Sequence, residues 1–218
     1  MALNLPKIRR VFVSVEVCYM TKKENPDGLT IAIRIVIILI ALTLIPLLIR
    51  LAFYGYDDYQ KRVYRIDYSE IVENMANEYN LDKYLIYAVI KTESGFNSDA
   101  VSEVGARGLM QITKDTFEWI RDHRLRDDED VNFDDMFEPE KNIQYGVYLI
   151  SYHMGYYNNT DNSLAAYHAG DGAVDGWLKD ARYSKDGKTL SVIPISDTAH
   201  YVEKVNKAYK TYLKLYKE

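Results

Sequence analysis

Between Leu29 and Phe53 the chain reads LTIAIRIVIILIALTLIPLLIRLAF, and from Ile35 to Ile49 only Thr43 and Pro46 depart from Ala and large apolar residues. A helix needs roughly 20 such residues to cross the hydrocarbon of a bilayer. No face of the run is polar, so a globular interior would have to enclose it completely, and a chain of 218 residues offers little material for that. Residues 29–53 are therefore expected to form a single transmembrane anchor in contact with the lipid bilayer. Arg34 and Arg50 lie near its ends, where long side chains reach the headgroups, and Tyr54 and Tyr56 follow at interfacial positions. Leu51-Ala52-Phe53-Tyr54 lacks the small-x-small pattern of a signal-peptide cleavage site, so the anchor reads as uncleaved.

The charge changes sign at the same place. Residues 1–53 hold 7 Lys/Arg against 3 Asp/Glu, a net of +4, which leaves 20 against 29, a net of -9, for residues 54–218. An acidic soluble part argues against nucleic acid as a partner, because phosphate-tracking proteins need a basic surface. Lys22, Lys23 and Arg34 before the span balance Arg50, Lys61, Arg62 and Arg65 after it, so charge alone sets no orientation. Residues 1–28 read as a short amino-terminal segment whose Val11, Val13, Val15 and Val17 alternate like a strand without a partner; Met20 is an alternative start. Cys18, the one cysteine, implies neither a disulfide nor a catalytic thiol there, and with four scattered His it excludes a zinc-finger array.

Residues 54–65 read as a polar, aromatic connector, and helical signals follow it. Ser69–Tyr79 and Asp82–Glu93 are runs without Gly or Pro, and Leu85, Ile86, Val89 and Ile90 recur at helical spacing. Glu138–Tyr157 carries Pro139 in its first turn and Ile143, Val147, Ile150 and Met154 on one stripe. Ser163–Ala169 is a short helix with Asn162 as its expected cap and Gly170 at its end. The last helix, from about Asp197 to Tyr216, has Tyr201, Val205, Ala208, Tyr212 and Leu215 in line. The expected fold class is all-α. Ser94–Gly108, Asp127–Asp135 and Tyr183–Ser196 read as loops. Asp127–Asp130 with Asp134 and Asp135 lack the glycine and ligand order of a calcium loop, and no metal or cofactor site is expected.

Glu93 closes an apolar helical face, with Ile86, Val89 and Ile90 at i−7, i−4 and i−3. Desolvation there would favour the neutral acid and make it a proton donor near neutral pH; a helix-end Glu that is merely solvated is the competing reading. Gly95, Gly105 and Gly108 punctuate the next segment, which can fold back over the helix end and wall a cleft.

KTESGFNSDAVSEVGARGLMQIT, NIQYGVYLISYH, LAAYHAGDGAVDGWL and IPISDTAHYVEKV resemble, in order, the motifs of the soluble-lytic-transglycosylase domain, glycoside hydrolase family 23, related to goose-type lysozyme. The resemblance covers about residues 66–216 and implies a lysozyme-like helical domain at 66–218 that acts on peptidoglycan glycan strands. It implies Glu93 as the lone catalytic acid/base, with Ser102, Gln111, Tyr167, His168, Asp197 and Tyr201 as the substrate-binding positions. His168 replaces the Asn of the family's AYNAG motif and is expected as a satisfied helix-end histidine rather than a second base. Asp197 stands where the family has Glu, and Ala199 where it has Arg. The implied product is a 1,6-anhydromuramyl end. A hydrolytic muramidase, using Asp99, Glu103 or Asp197 as a second carboxylate, and a non-catalytic glycan-binding scaffold are the alternatives. The substrate would place residues 54–218 outside the cytoplasmic membrane, on a single-pass anchor. Nineteen of the 20 tyrosines follow Phe53, and only Tyr167 and Tyr201 are assigned functionally.

Overall fold

The computed structural model describes residues 27–123 and 131–217; the valine alternation, Cys18, Met20 and Asp127–Asp130 lie outside the described residues. The chain divides into two compact units, Met1–Asp58 and Tyr59–Glu218. Helix α1 spans Gly28–Val63. It therefore continues through residues 54–63, which the sequence had suggested as a connector: Gly55 is the one weak helix former there, no Pro interrupts the run, and its charged residues suit an exposed helix. The Asp27 side chain caps it by accepting from the Thr30 N–H at 2.8 Å. Pro46 lies inside the helix, and the Thr43 hydroxyl is satisfied by the Ile40 carbonyl at 3.0 Å. None of the helix is buried by protein, and it is long and apolar enough to cross a membrane.

The second unit is helical throughout its named elements: α2 (Ser69–Glu78), α3 (Lys83–Glu93), α4 (Lys114–His123), a 3-10 turn (Phe133–Phe137), α5 (Pro139–Tyr157), α6 (Thr160–Ala169), α7 (Asp171–Leu178) and α8 (Ser196–Tyr216). Among the described residues the only β pairing is isolated bridges within loops. Pro139 occupies the first turn of α5, as its fixed φ and missing N–H favour. α6 starts earlier than the periodicity suggested. Asn159 is its cap, accepting from the Asn162 N–H at 2.9 Å. Asn162 is instead buried, donating to the Lys188 carbonyl at 2.7 Å and accepting from the Leu190 N–H at 3.2 Å, so it pins the loop between α7 and α8. α4 and α7 escape sequence periodicity because they are short and bury few side chains, Phe117 and Ile120 in the first and Val174 in the second.

α3 is the centre of the core. Leu85 through Ile90 are six consecutive buried residues, which at 100° per residue occupy every side of the helix. α8 is its main neighbour, while α6 packs on both α5 and α8. Burying each of Leu85, Ile86, Val89 and Ile90 stabilises the fold by about 1.5–3 kcal/mol.

Tyrosines join the two ends of the unit. Tyr212 stacks on Tyr87 at 5.7 Å and meets Tyr64 edge-on at 5.5 Å. Their neighbours latch the backbone: Tyr212 donates to the Arg65 carbonyl at 3.1 Å, Tyr216 to the Tyr64 carbonyl at 2.8 Å, and Tyr84 to the Tyr216 carbonyl at 2.8 Å. Most of the aromatic content thus has a structural use, Tyr209 included, which donates to Asp82 at 2.9 Å. Tyr212→Ala should lower unfolding stability by about 3–5 kcal/mol and Tyr212→Phe by about 1 kcal/mol, measured by urea denaturation.

Candidate active site

Glu93 is the last residue of α3, one turn beyond Val89 and Ile90 on the same face, so the buried helix carries its carboxyl into the protein. Ser94 ends the helix and ties it to the following loop: its N–H donates to the Ile90 carbonyl at 3.1 Å and its hydroxyl to the Leu109 carbonyl at 2.9 Å. Gly95 and Phe96 both adopt left-handed φ, 60° and 70°. Phe96 tolerates this because its ring is buried, with the Arg65 guanidinium 5.1 Å over it.

The loop from Gly95 to Thr113 is held by its own backbone. Arg107 and Ile112 exchange N–H to carbonyl bonds at 2.9 and 3.0 Å, Ser102 donates its N–H to Ala106 at 3.0 Å, and Gly108 donates to Ala100 at 2.9 Å. Gly108 has φ 75° and no room for a side chain: a Cβ would collide with the Met136 carbonyl and the Asn142 amide. Asn142, on α5 and fully buried, makes the decisive link. Its Oδ1 accepts from the Met110 N–H at 2.7 Å, and its Nδ2 donates to the Arg107 and Met136 carbonyls at 2.8 and 2.7 Å. Asn142 opens the NIQYGVYLISYH block, but its place beside the Ile143 stripe gave no sign of these partners.

Met110 then positions the aromatic side of the site. The Tyr167 hydroxyl donates to the Met110 carbonyl at 2.7 Å, and the Tyr167 ring lies parallel to that of Tyr201, 6.5 Å away at 2°. Burial pushes the Glu93 carboxyl from 4.5 up to about 7, and the Tyr201 hydroxyl opposes that rise. No second carboxylate contributes to the shift. The Tyr201 hydroxyl is itself buried without a partner that meets hydrogen-bond geometry, so its influence on Glu93 is that of a close dipole rather than a completed bond. Both phenols are pushed well above their usual pKa by burial and then by the Glu93 charge, which keeps them as donors.

The structure thus brings Glu93, Tyr167 and Tyr201 together, with His168 at the edge, its ring 4.6 Å from that of Tyr201. His168 Nδ1 lies 3.1 Å from the hydroxyl of the buried Thr198. Burial lowers the His168 pKa and the neighbouring Asp197 counteracts it. Asp197 is exposed in the first turn of α8. Ser102 and Gln111 lie on the loop with their polar groups engaged there: Ser102 Oγ accepts from the Ala106 N–H at 3.0 Å, and Gln111 Nε2 donates to the Ala100 and Gly108 carbonyls at 3.2 and 2.9 Å. Asp99 and Glu103 are exposed. Among the described residues no group of three or more His, Cys, Asp or Glu is arranged to hold a metal ion.

The profile of the Transglycosylase SLT domain matches residues 70–190, more than half of the chain. The chain belongs to the SLT transglycosylase domain family. Membrane-bound lytic murein transglycosylase C of Serratia proteamaculans is 30% identical in an alignment 174 positions long that covers 66% of this chain and 46% of that protein. Among solved structures, an inactive mutant of the lytic transglycosylase Slt from Pseudomonas aeruginosa matches with a TM-score of 0.60 at 29% identity, over 70% of this chain and 25% of that one. The 70-kDa soluble lytic transglycosylase in complex with bulgecin A matches with a TM-score of 0.64 at 25% identity, over 74% of this chain and 26% of that one. This SLT chain therefore spans about half the length of the curated membrane-bound relatives it matches and a quarter of the solved chains.

Two outcomes follow for this SLT domain. Asn142→Leu should cost several kcal/mol, about 1–3 for each buried backbone group left unpaired, and should lower the melting temperature. Glu93 binds a proton more tightly folded than unfolded, so stability falls as pH rises from about 4.5 to about 7. Glu93→Gln should therefore stabilise the protein above pH 7, by on the order of 2 kcal/mol, with no gain at pH 4, read from denaturation midpoints across pH.

Proposed function

We propose that the chain is a membrane-anchored peptidoglycan lytic transglycosylase that cleaves the β-1,4 bond between N-acetylmuramic acid and N-acetylglucosamine, with Glu93 as sole general acid/base. The observation that carries this reading is a desolvated carboxyl group with a pKa of about 7 and no second carboxylate acting on it. Two-carboxylate glycosidases hold their pair about 5–9.5 Å apart, close enough for each charge to perturb the other. A single acid suits a reaction in which the substrate supplies the rest.

In that reaction neutral Glu93 protonates the glycosidic oxygen while the 2-acetamido group of the muramic residue stabilises the positive charge developing at C1. The Glu93 carboxylate then accepts the proton of the C6 hydroxyl as that oxygen bonds to C1. The C1–O bond to the leaving sugar breaks, a 1,6-anhydro ring closes, and no water is consumed. General acid–base assistance contributes typically ~10²–10⁴-fold, so positioning supplies much of the remainder. Tyr201 is the hydroxyl best disposed to bond the carboxylate once it forms, and Tyr167, fixed to Met110, braces the same wall. Ser102, Gln111, His168 and Asp197 extend this binding surface.

Residues 29–53 serve as the single-pass anchor, residues 54–65 lead out of it, and residues 66–218 form the catalytic domain. The peptidoglycan substrate puts that domain on the extracytoplasmic side.

Digestion of purified peptidoglycan with the full chain, followed by mass spectrometry of the muropeptides, tests the reading. Anhydromuramyl ends should accumulate and should fall at least 10²-fold with Glu93→Gln. Activity needs the protonated acid and should decline as pH rises through about 7. New reducing ends would instead mean hydrolysis, and binding without new ends would mean a scaffold.

A further inference from the structure

α8 buries Tyr201, Val205, Ala208 and Tyr212 along one side and exposes Lys204, Lys207, Lys210 and Lys214. At 100° per residue the four lysines occupy an arc of about 120°, with Lys207, Lys210 and Lys214 turned away from the buried side. Lys217 follows just beyond the helix. Glu203 is the one acid of this face and stands at its amino-terminal end, where Asn206 also holds Asp161 at 2.7 Å. Among the described residues none of the five lysines forms an ion pair, whereas Lys83 pairs with Glu73 and Lys114 with Glu118.

The charge of the second unit is sorted rather than mixed. Glu203–Lys217 holds five Lys against one Asp/Glu, a net of +4, and the rest of residues 54–218 holds 15 Lys/Arg against 28 Asp/Glu, a net of -13. Lysines three and four residues apart on a helix repel one another, a repulsion that an anion lying against them relieves. The helix dipole favours a cation in the last turn, which accounts for Lys214 and leaves Lys207 and Lys210 without that compensation.

The same helix is fastened to the tether. Tyr212 and Tyr216 donate to the carbonyls of Arg65 and Tyr64, so the purely basic end of α8 lies at those residues. Tyr64 is 11 residues beyond Phe53, the end of the apolar run, a reach of at most about 40 Å at full extension. With residues 29–53 in a bilayer, the headgroups are held permanently within that reach, and binding to them is an intramolecular event.

We propose that the lysine face of α8 docks the second unit on anionic phospholipid headgroups of the bilayer that holds residues 29–53. The inference rests on the anchor reading. Each lysine gains from the negative surface potential, and the acidic remainder of the unit is repelled by it, so one face is selected. A soluble polyanion would satisfy the same charges, but the tether favours the lipid. The docked face is turned away from the buried Tyr201, so the bilayer leaves the catalytic cluster uncovered and confines its action to glycan close to the membrane.

Lysine acetylation by a short reagent pulse, read by peptide mass spectrometry, tests the docking on the full chain. The chain is reconstituted in nanodiscs of phosphatidylcholine alone or of equal parts phosphatidylcholine and phosphatidylglycerol. Lys207, Lys210 and Lys214 should be labelled about fivefold more slowly in the anionic discs, the effect of one favourable lysine contact with such a surface, while the exposed Lys185 is labelled equally in both. Salt at about 1 M, which cuts the Debye length to ~3 Å, should remove the difference. Lys207→Glu with Lys210→Glu and Lys214→Glu should abolish the protection of Lys204 and Lys217 and leave cleavage of soluble glycan fragments unchanged. If that variant fails to fold, the labelling of the unsubstituted chain decides. Equal labelling in the two discs overturns the proposal, as does protection produced only by adding a soluble glycerol-phosphate polymer. Failure of the anchor reading is distinguishable: alkaline carbonate would then strip the chain from vesicles of both compositions, and the tethered docking would fall with it.

Discussion

The burial of helix Lys83–Glu93 on all sides is the constraint on which the rest of the second unit depends. A helix wrapped in apolar neighbours from Leu85 to Ile90 has no freedom to rotate or slide, so its last residue is delivered to one place. That residue is a carboxylic acid. Desolvation at the end of such a helix raises its pKa to about 7, and the protein tolerates the loss of charge stabilisation because the core around α3 supplies far more than it costs. The acid strength of Glu93 is thus a product of packing rather than of a charged neighbour.

A second constraint keeps the opposite wall in register. Asn142 holds Met110, Arg107 and Met136 through three buried bonds, and Gly108 lets the loop pass where a methyl group would collide. Met110 then receives Tyr167, whose ring aligns with Tyr201. The path from α5 through the loop to α6 is a chain of short hydrogen bonds, and a ring contact carries it on to α8, so the fold itself sets the aromatic groups. The unpaired Tyr201 hydroxyl is the place where that preorganisation was left open. A buried donor without an acceptor carries a cost that ionisation of Glu93 would relieve.

Much of this was legible residue by residue. The apolar run 29–53, the helices bearing Leu85–Ile90, Ile143–Ile150 and Tyr201–Tyr212, and the placement of Glu93 at a helix end follow from spacing and composition. The family motifs pointed to Tyr167 and Tyr201. Other features left little trace. Asn142 and Asn162 are single polar residues that each pair with backbone more than 20 residues away, Met110 and Arg107 for the first and Lys188 and Leu190 for the second, so no local pattern distinguishes them from solvated side chains. The cap of α6 moved from Asn162 to Asn159 because the distant loop at Lys188–Leu190 claims the Asn162 amide. Helices α4 and α7 are only 10 and 8 residues long, so each offers no more than three turns on which a pattern can repeat.

The sequence by itself determined the class of the fold, the apolar segment and the acid, because these depend on local periodicity, on length and on residue type. Tertiary structure alone decided how strong that acid is, which tyrosines are structural, and that His153, Asp115 and Asp171 line one cavity beside Tyr167 and His168. The physical reason is that desolvation, hydrogen-bond satisfaction and cavity shape are properties of neighbours in space. The neighbours of Glu93 come from α3, α6 and α8, and those of His153 from α4, α5, α6 and the start of α7, elements drawn from different parts of the chain.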